Sequence, residues 1–255
     1  MTQPSGRNLS LTRSRRLICD LMHYGVQVPT AAVRRRMRLA SVAAARQAAC
    51  PRPGWLAIFL KAYSFVAAAR PELRRVYVPL PWPHLYEHPL NIASVAIERQ
   101  VGDEEAIFFA HFRDPHNRGL LEVDADVRRF KEAPVNEIPM FRRMLRLSRW
   151  PRPLRRLLWW SALNLSGHRR ARLLGTFGVS VVGNFGSALH HVTSPVTTTL
   201  SYGVIAPDGS VDVYLTFDHS VVDGAPRTRA LEDMERILKC EILAELRYFR
   251  SLEAA

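Results

Sequence analysis

Two runs rich in Val, Thr, Tyr and Phe, Thr198 to Ile205 and Val211 to Phe217, flank the segment Ala206-Pro207-Asp208-Gly209-Ser210. Proline presets the backbone of a turn and Asp-Gly fits its tight corner, so this stretch predicts a β-hairpin. A further strand is expected over Thr176 to Val182. Pro226 then stands near the first turn of a helix predicted from Arg227 to about Tyr248, in which Leu231, Met234, Ile237, Ile242 and Leu246 follow helical spacing. The last third of the chain therefore combines sheet with one long amphipathic helix.

The first two thirds read differently. Leu11 to Cys50 suggests two helical segments, broken near Gly25 to Thr30 because Pro29 forbids a continuous helix. After Pro51-Arg52-Pro53-Gly54, the run Trp55 to Ala69 holds a single charge, Lys61, and predicts a buried helix ended by Pro71. Four prolines between Pro79 and Pro89 argue against regular structure there. Leu90 to Ile97 alternates with the period of a strand, Ala106 to Phe112 is expected to be a second, and Leu121 to Lys131 an amphipathic helix. With 255 residues, 47% of them hydrophobic, and no flexible linker or internal repeat, one domain over residues 1–255 is the economical expectation. No apolar run reaches the roughly 18 residues needed to span a bilayer, and the N-terminus lacks a secretory pattern, so a cytoplasmic location is expected. Cys19, Cys50 and Cys240 are too few and too far apart for a disulfide framework or a metal site, and are expected to be buried thiols.

Charge is the loudest compositional feature: 36 Lys and Arg against 23 Asp and Glu give a net charge of +13. Only Lys61, Lys131 and Lys239 are lysines, so nearly all of this is arginine, the side chain that grips phosphate with a bidentate fork. Ten arginines fall in residues 141–172, which contain no acid and include Trp150, Trp159 and Trp160 among leucines. Pro151 and Pro153 divide that segment into short helices. It suits an interfacial helix at a membrane surface or against a lipid-like ligand, a docking face for an acidic protein, a wall of an apolar pocket, or an ordinary helix that packs its Leu/Trp face on the core and solvates its arginine face. A nucleic-acid partner is supported by charge alone, with no recognisable binding module and no specific nucleic acid implied.

Chemistry concentrates in Phe217-Asp218-His219-Ser220-Val221-Val222-Asp223-Gly224. A histidine at a strand end is exposed yet held rigidly, and its ordinary pKa near 6.5 allows it to take and return a proton close to neutrality. An aspartate four residues on can fix the turn behind it. His190 and His191 lie side by side without partners at metal-ligand spacing, so no metal is expected.

In its strand-turn-helix context this run resembles the DHRxxDG signature of the catalytic (E2) domain of 2-oxo acid dehydrogenase acyltransferases, whose architecture chloramphenicol acetyltransferase shares. Gly175-Thr176-Phe177-Gly178-Val179-Ser180-Val181-Val182-Gly183-Asn184-Phe185-Gly186 is similar to the same family's GTFxxSxxGxxG segment, and Arg13-Ser14-Arg15-Arg16-Leu17-Ile18 to its Arg-rich opening helix. The resemblance implies an α+β fold, a chloramphenicol-acetyltransferase-like two-layer sandwich of mixed β-sheet and flanking helices. It implies that His219 is the general base, that Ser180 donates to the oxyanion of the tetrahedral intermediate, and that Asp223 orders the turn with Arg16 as its salt-bridge partner. A homotrimer is implied, with active sites at subunit interfaces and direct transfer between thiols entering from opposite ends.

The departures are specific. Ser220 replaces the family's usual arginine, and the sequence contains no lipoyl or subunit-binding domain. The expectation is therefore a free trimer carrying no lipoyl group, with coenzyme A or acyl-CoA as substrate and an acyl carrier protein as an alternative donor. Peripheral membrane contact through 141–172 stays open. A catalytically silent trimeric scaffold is the competing reading, against which the presence of His219, Ser180 and Asp223 together counts.

Overall fold

A computed structural model describes residue 6 and residues 8–102, 104–181, 190–222 and 224–253. Its centre is a six-stranded mixed sheet in the order β1-β8-β7-β6-β4-β5. The strands are β1 (Thr30–Arg38), β4 (Ile92–Val101), β5 (Glu104–Arg113), β6 (Phe177–Val179), β7 (Thr198–Tyr202) and β8 (Ser210–Asp218). β6 runs parallel to both β4 and β7, and the remaining pairs are antiparallel. β7 and β8 form the expected hairpin across residues 203–209.

One face of the sheet carries the main core. α2 (Ala40–Ala48), α3 (Trp55–Ala69), α4 (Leu120–Glu132), α8 (Gly224–Ile237) and α9 (Leu243–Glu253) pack there, with Phe59, Tyr63, Phe108, Val213, Leu215 and Met234 buried between. α3 is sealed on nearly every side, as its single charge predicted: Phe59 stacks on Tyr202 at 4.0 Å, and the Tyr63 hydroxyl donates to Thr198 Oγ1 at 2.9 Å. Lys61, the exception, pairs with Glu245 of α9 at 2.5 Å. α8 and α9 make one helical run joined by a π-helical turn at Leu238–Ile242, close to the predicted long helix.

The opposite face is partly covered by α1 (Arg13–Gly25), α5 (Pro139–Leu147), α6 (Arg152–Asn164) and α7 (Gly167–Leu174). Tyr24, Leu163, Leu174 and Val196 make a second, smaller core there. α5 wraps the β5 edge: Phe141 stacks on Phe108 at 4.7 Å in the main core, while Met140 and Met144 pack against the same core and also reach the other face. The arginine face of α6 is not simply solvated. Arg155 is buried and donates to Asp20 of α1 at 2.6 Å, and Arg156 reaches the same carboxylate at 3.1 Å. Leu158 and Trp159 point inward while Leu154, Leu157 and Trp160 are exposed, so both flanks of the helix are apolar.

Three sequence expectations are corrected. Leu11 to Cys50 is not two helices alone, because β1 intervenes as an edge strand whose Ala and Arg residues carry little β-propensity. Ion pairs hold it instead: Arg34 grips Asp212 across the β8 register, and Arg35 reaches Glu235 of α8 at 2.8 Å. The proline-rich stretch contains a short strand, β3 (His84–Glu87), paired with β2 (Arg75–Val78), because its prolines fall outside the four paired residues. Cys19, Cys50 and Cys240 are exposed, since each sits on the solvent side of its helix or loop. Among the described residues no helix is long and apolar enough to cross a membrane.

Candidate active site

The glycine-led motif makes a joint between sheet and helix. Gly175 adopts φ +84°, and a Cβ there would sit 2.6 Å from the Ile92 carbonyl, so only glycine fits. This close approach lets the Thr176 amide donate to the Ile92 oxygen at 2.7 Å while Thr176 Oγ1 accepts from the Ile92 amide at 2.9 Å. β6 is thereby locked against β4. A Cβ on Gly178 would press to 2.9 Å from Thr199 Oγ1, so β6 lies equally close to β7. Ser180 follows the last residue of β6, its amide donating to the Leu200 carbonyl at 3.0 Å, and its half-buried side chain lines a cavity.

That cavity has a volume of about 390 Å³ and lies between the sheet and α1, α5, α6 and α7. Its walls are mainly Leu, Ile, Met, Phe and Trp side chains, and its size falls within the range of small-molecule sites, roughly 300–1,000 Å³. Arg143 and Arg172 stand at its edge, both exposed, and among the described residues neither has a carboxylate within ion-pair distance.

His219 is placed elsewhere. It follows β8, its amide donates to the Pro29 carbonyl at 2.8 Å, and its exposed ring meets Phe217 edge-on at 5.4 Å. Buried Asp218 shapes the turn: its Oδ1 accepts from the Ser220 amide at 2.8 Å, and its carbonyl accepts from Val221 and Val222. Near Asp218 lies Arg170, which donates to the carbonyls of Tyr77 and Pro195; burial pushes its pKa down to about 10, against the pull of Asp218. Sequence reasoning missed Asp218 as the residue that shapes the histidine turn, although it stands inside the quoted motif.

Asp223 lies outside the described residues, as do Val182, Gly183, Asn184, Phe185 and Gly186 of the upstream motif. Arg16 is half-buried on α1 and donates from Nε to the Leu11 carbonyl at 3.1 Å.

Within one chain Ser180 and His219 are not brought together. Continuing the β6–β7–β8 register places Ser180 level with Ser201 and Tyr214, five residues before His219. At strand spacings this is roughly 16 Å along β8 and roughly 10 Å across two strands. Side chains of this size cannot close such a gap around one reacting carbon.

Sequence comparison finds no matching protein family and no matching curated protein. Structure comparison does find relatives of the fold. A protein described as a probable dihydrolipoamide acetyltransferase of Listeria monocytogenes superposes with a TM-score of 0.66 at 16% identity, covering 92% of this chain and 94% of that one. The dihydrolipoamide acetyltransferase of Azotobacter vinelandii gives 0.65 at 16%, covering 95% and 94%. A chloramphenicol acetyltransferase gives 0.51 at 13%, covering 90% and 96%. The fold of this chain is the α+β fold of the dihydrolipoamide acetyltransferase catalytic cores and of chloramphenicol acetyltransferase.

Proposed function

We propose that this protein is an acyltransferase that moves an acyl group from a thioester donor to a thiol, hydroxyl or amine acceptor. The observation that carries the reading is placement: His219 follows the last residue of β8 and Ser180 the last residue of β6, in a fold shared with acetyltransferases. In the A. vinelandii enzyme, a serine, a histidine and an asparagine were investigated for roles in the catalytic mechanism, the last two standing four positions apart. His219 and Asp223 have the same spacing.

The working site is completed by assembly, with His219 of one protomer facing Ser180 of its neighbour in a homotrimer. This arrangement explains why each chain keeps both residues yet holds them so far apart. His219 accepts the proton of the attacking acceptor as the new bond forms at the thioester carbonyl carbon. Ser180 donates to the oxyanion so created, and collapse expels the donor thiolate, which takes the proton back from His219. No covalent enzyme intermediate enters. Coenzyme A is the favoured donor scaffold, because Arg143 and Arg172 at the cavity edge offer forked donors suited to phosphate. A phosphopantetheine arm on an acidic carrier protein would use the same pair.

The test is release of free thiol from acyl-CoA in the presence of a generic thiol or amine acceptor. Wild type releases thiol, and His219→Ala loses about 10²- to 10⁴-fold in kcat. Equal rates in the two proteins would remove His219 from the mechanism.

A further inference from the structure

The cavity beside Ser180 has a floor and a roof of different chemistry. The roof is mainly apolar, from Leu17 and Leu21 of α1, Met140 and Met144 of α5, and Leu158 and Trp159 of α6, with Arg143 at its edge and Arg155 held by Asp20. On the floor, Ile107, Phe109 and His111 are the alternate residues of β5 that face away from the main core. His111 pairs across the register with Ser94, and Ser94 with Gly178, two residues before Ser180. His111 and Ser180 therefore share one floor, roughly 12 Å apart by strand spacings.

His111 has no role in the proton transfers assigned to His219, yet among the described residues it is the one ionisable group on that floor. Burial, helped by neighbouring Arg113, pushes its pKa down to about 4, so its ring is neutral at physiological pH. Among the described residues neither ring nitrogen makes a hydrogen bond, and no carboxylate lines the cavity. A neutral imidazole offers one donor and one acceptor, and on this mainly apolar floor both are open to a ligand. The cavity is thus built for an apolar ligand that carries a neutral hydrogen-bonding oxygen.

We propose that the cavity holds the acyl chain of the thioester, a chain of medium or greater length, and that His111 reads a hydroxyl or keto oxygen on that chain. The inference rests on the acyltransferase reading above, which fixes the thioester carbonyl at Ser180. Two groups leave that carbonyl carbon, the sulfur carrier and the acyl chain. The carrier, whether coenzyme A or a protein-borne arm, must run back out to solvent, whereas an acyl chain has an end and can finish inside a cavity. Its apolar carbons match the leucine, methionine and tryptophan roof.

The test measures both turnover and affinity for a CoA series from acetyl to decanoyl, together with decanoyl chains hydroxylated at successive positions. Wild type is expected to gain several-fold in kcat/KM and in affinity per added methylene until the cavity is filled. One hydroxyl position should be preferred over the plain chain. Ala96→Phe, which fills the floor next to Ser180, should abolish the gain with length, in affinity as in turnover. His111→Phe should keep the length preference and reverse the preference for the hydroxylated chain. Turnover that is flat from acetyl to decanoyl would overturn the inference and leave the acyltransferase reading intact. If no thioester is turned over, the acyltransferase reading fails and affinity decides the cavity: decanoyl-CoA binding no tighter than acetyl-CoA, or unchanged by Ala96→Phe, overturns it.

Discussion

Ser180 and His219 follow the last residues of two different strands of one sheet: the Ser180 amide is bonded to Leu200 beside the end of β6, and the His219 amide to Pro29 beyond the end of β8. Two strands and five residues of register separate them. Two groups so placed act on the same carbon only if a second copy of the chain supplies one of them.

Removal of the Ser180 hydroxyl tests the oxyanion role. Ser180→Ala should lower kcat by about 10²- to 10³-fold with little change in KM, because the donor is used in the transition state more than in the ground state. Steady-state thiol release reports both constants. A rise in KM at constant kcat would instead make Ser180 a binding residue.

Asp20 ties the cavity roof to α1. It is buried and receives Arg155 at 2.6 Å and Arg156 at 3.1 Å. Asp20→Ala leaves the buried Arg155 charge uncompensated and should cost about 3–5 kcal/mol in denaturant unfolding. Loss of less than about 1 kcal/mol, the ordinary worth of an exposed pair, would show that α6 is not anchored this way.

Gly175 should tolerate no side chain. With φ at +84° and the Ile92 carbonyl only 2.6 Å from where a Cβ would stand, Gly175→Ala must either strain the joint or push β6 off β4. The backbone strain alone is worth about 1–3 kcal/mol. Unfolding midpoints of the two proteins measure it.

His111 gives stability a pH dependence of known sign. Its folded pKa of about 4 lies below the ordinary value of 6.5, so between these limits the unfolded chain binds more protons than the native one. The contribution is fully present above pH 6.5 and is lost as pH falls towards 4. Comparing wild type with His111→Gln across that window isolates it from His116, whose pKa burial also lowers. Parallel stability curves for the two proteins would contradict the burial of a neutral His111.

Legibility in the sequence followed how locally each element is stabilised. α3 announced itself because a fifteen-residue helix with one charge has to be buried, and the β7–β8 hairpin because its turn residues are specific. β1 was hidden because an edge strand of alanines and arginines is held by Asp212, Glu232 and Glu235, roughly two hundred residues away in the chain. His219 and Ser180 could be singled out from short motifs at strand ends. His111 could not, since an isolated histidine in Phe-Phe-Ala-His-Phe gains meaning only when α1, α5 and α6 close over that face of the sheet. The approach of Arg170 to Asp218 was likewise unreadable, because it arises only through the folding of α7 against 195–197 and β2.

The central claim is that one site takes His219 and Ser180 from different chains. Co-expression of His219→Ala and Ser180→Ala chains under different tags, followed by isolation of mixed assemblies, tests it directly. Each variant alone is nearly inactive, but a closed three-chain ring that holds both variants places an intact histidine opposite an intact serine at one site in three, and about a third of wild-type thiol release should return. Mixed assemblies that form and remain as inactive as either parent would contradict the claim.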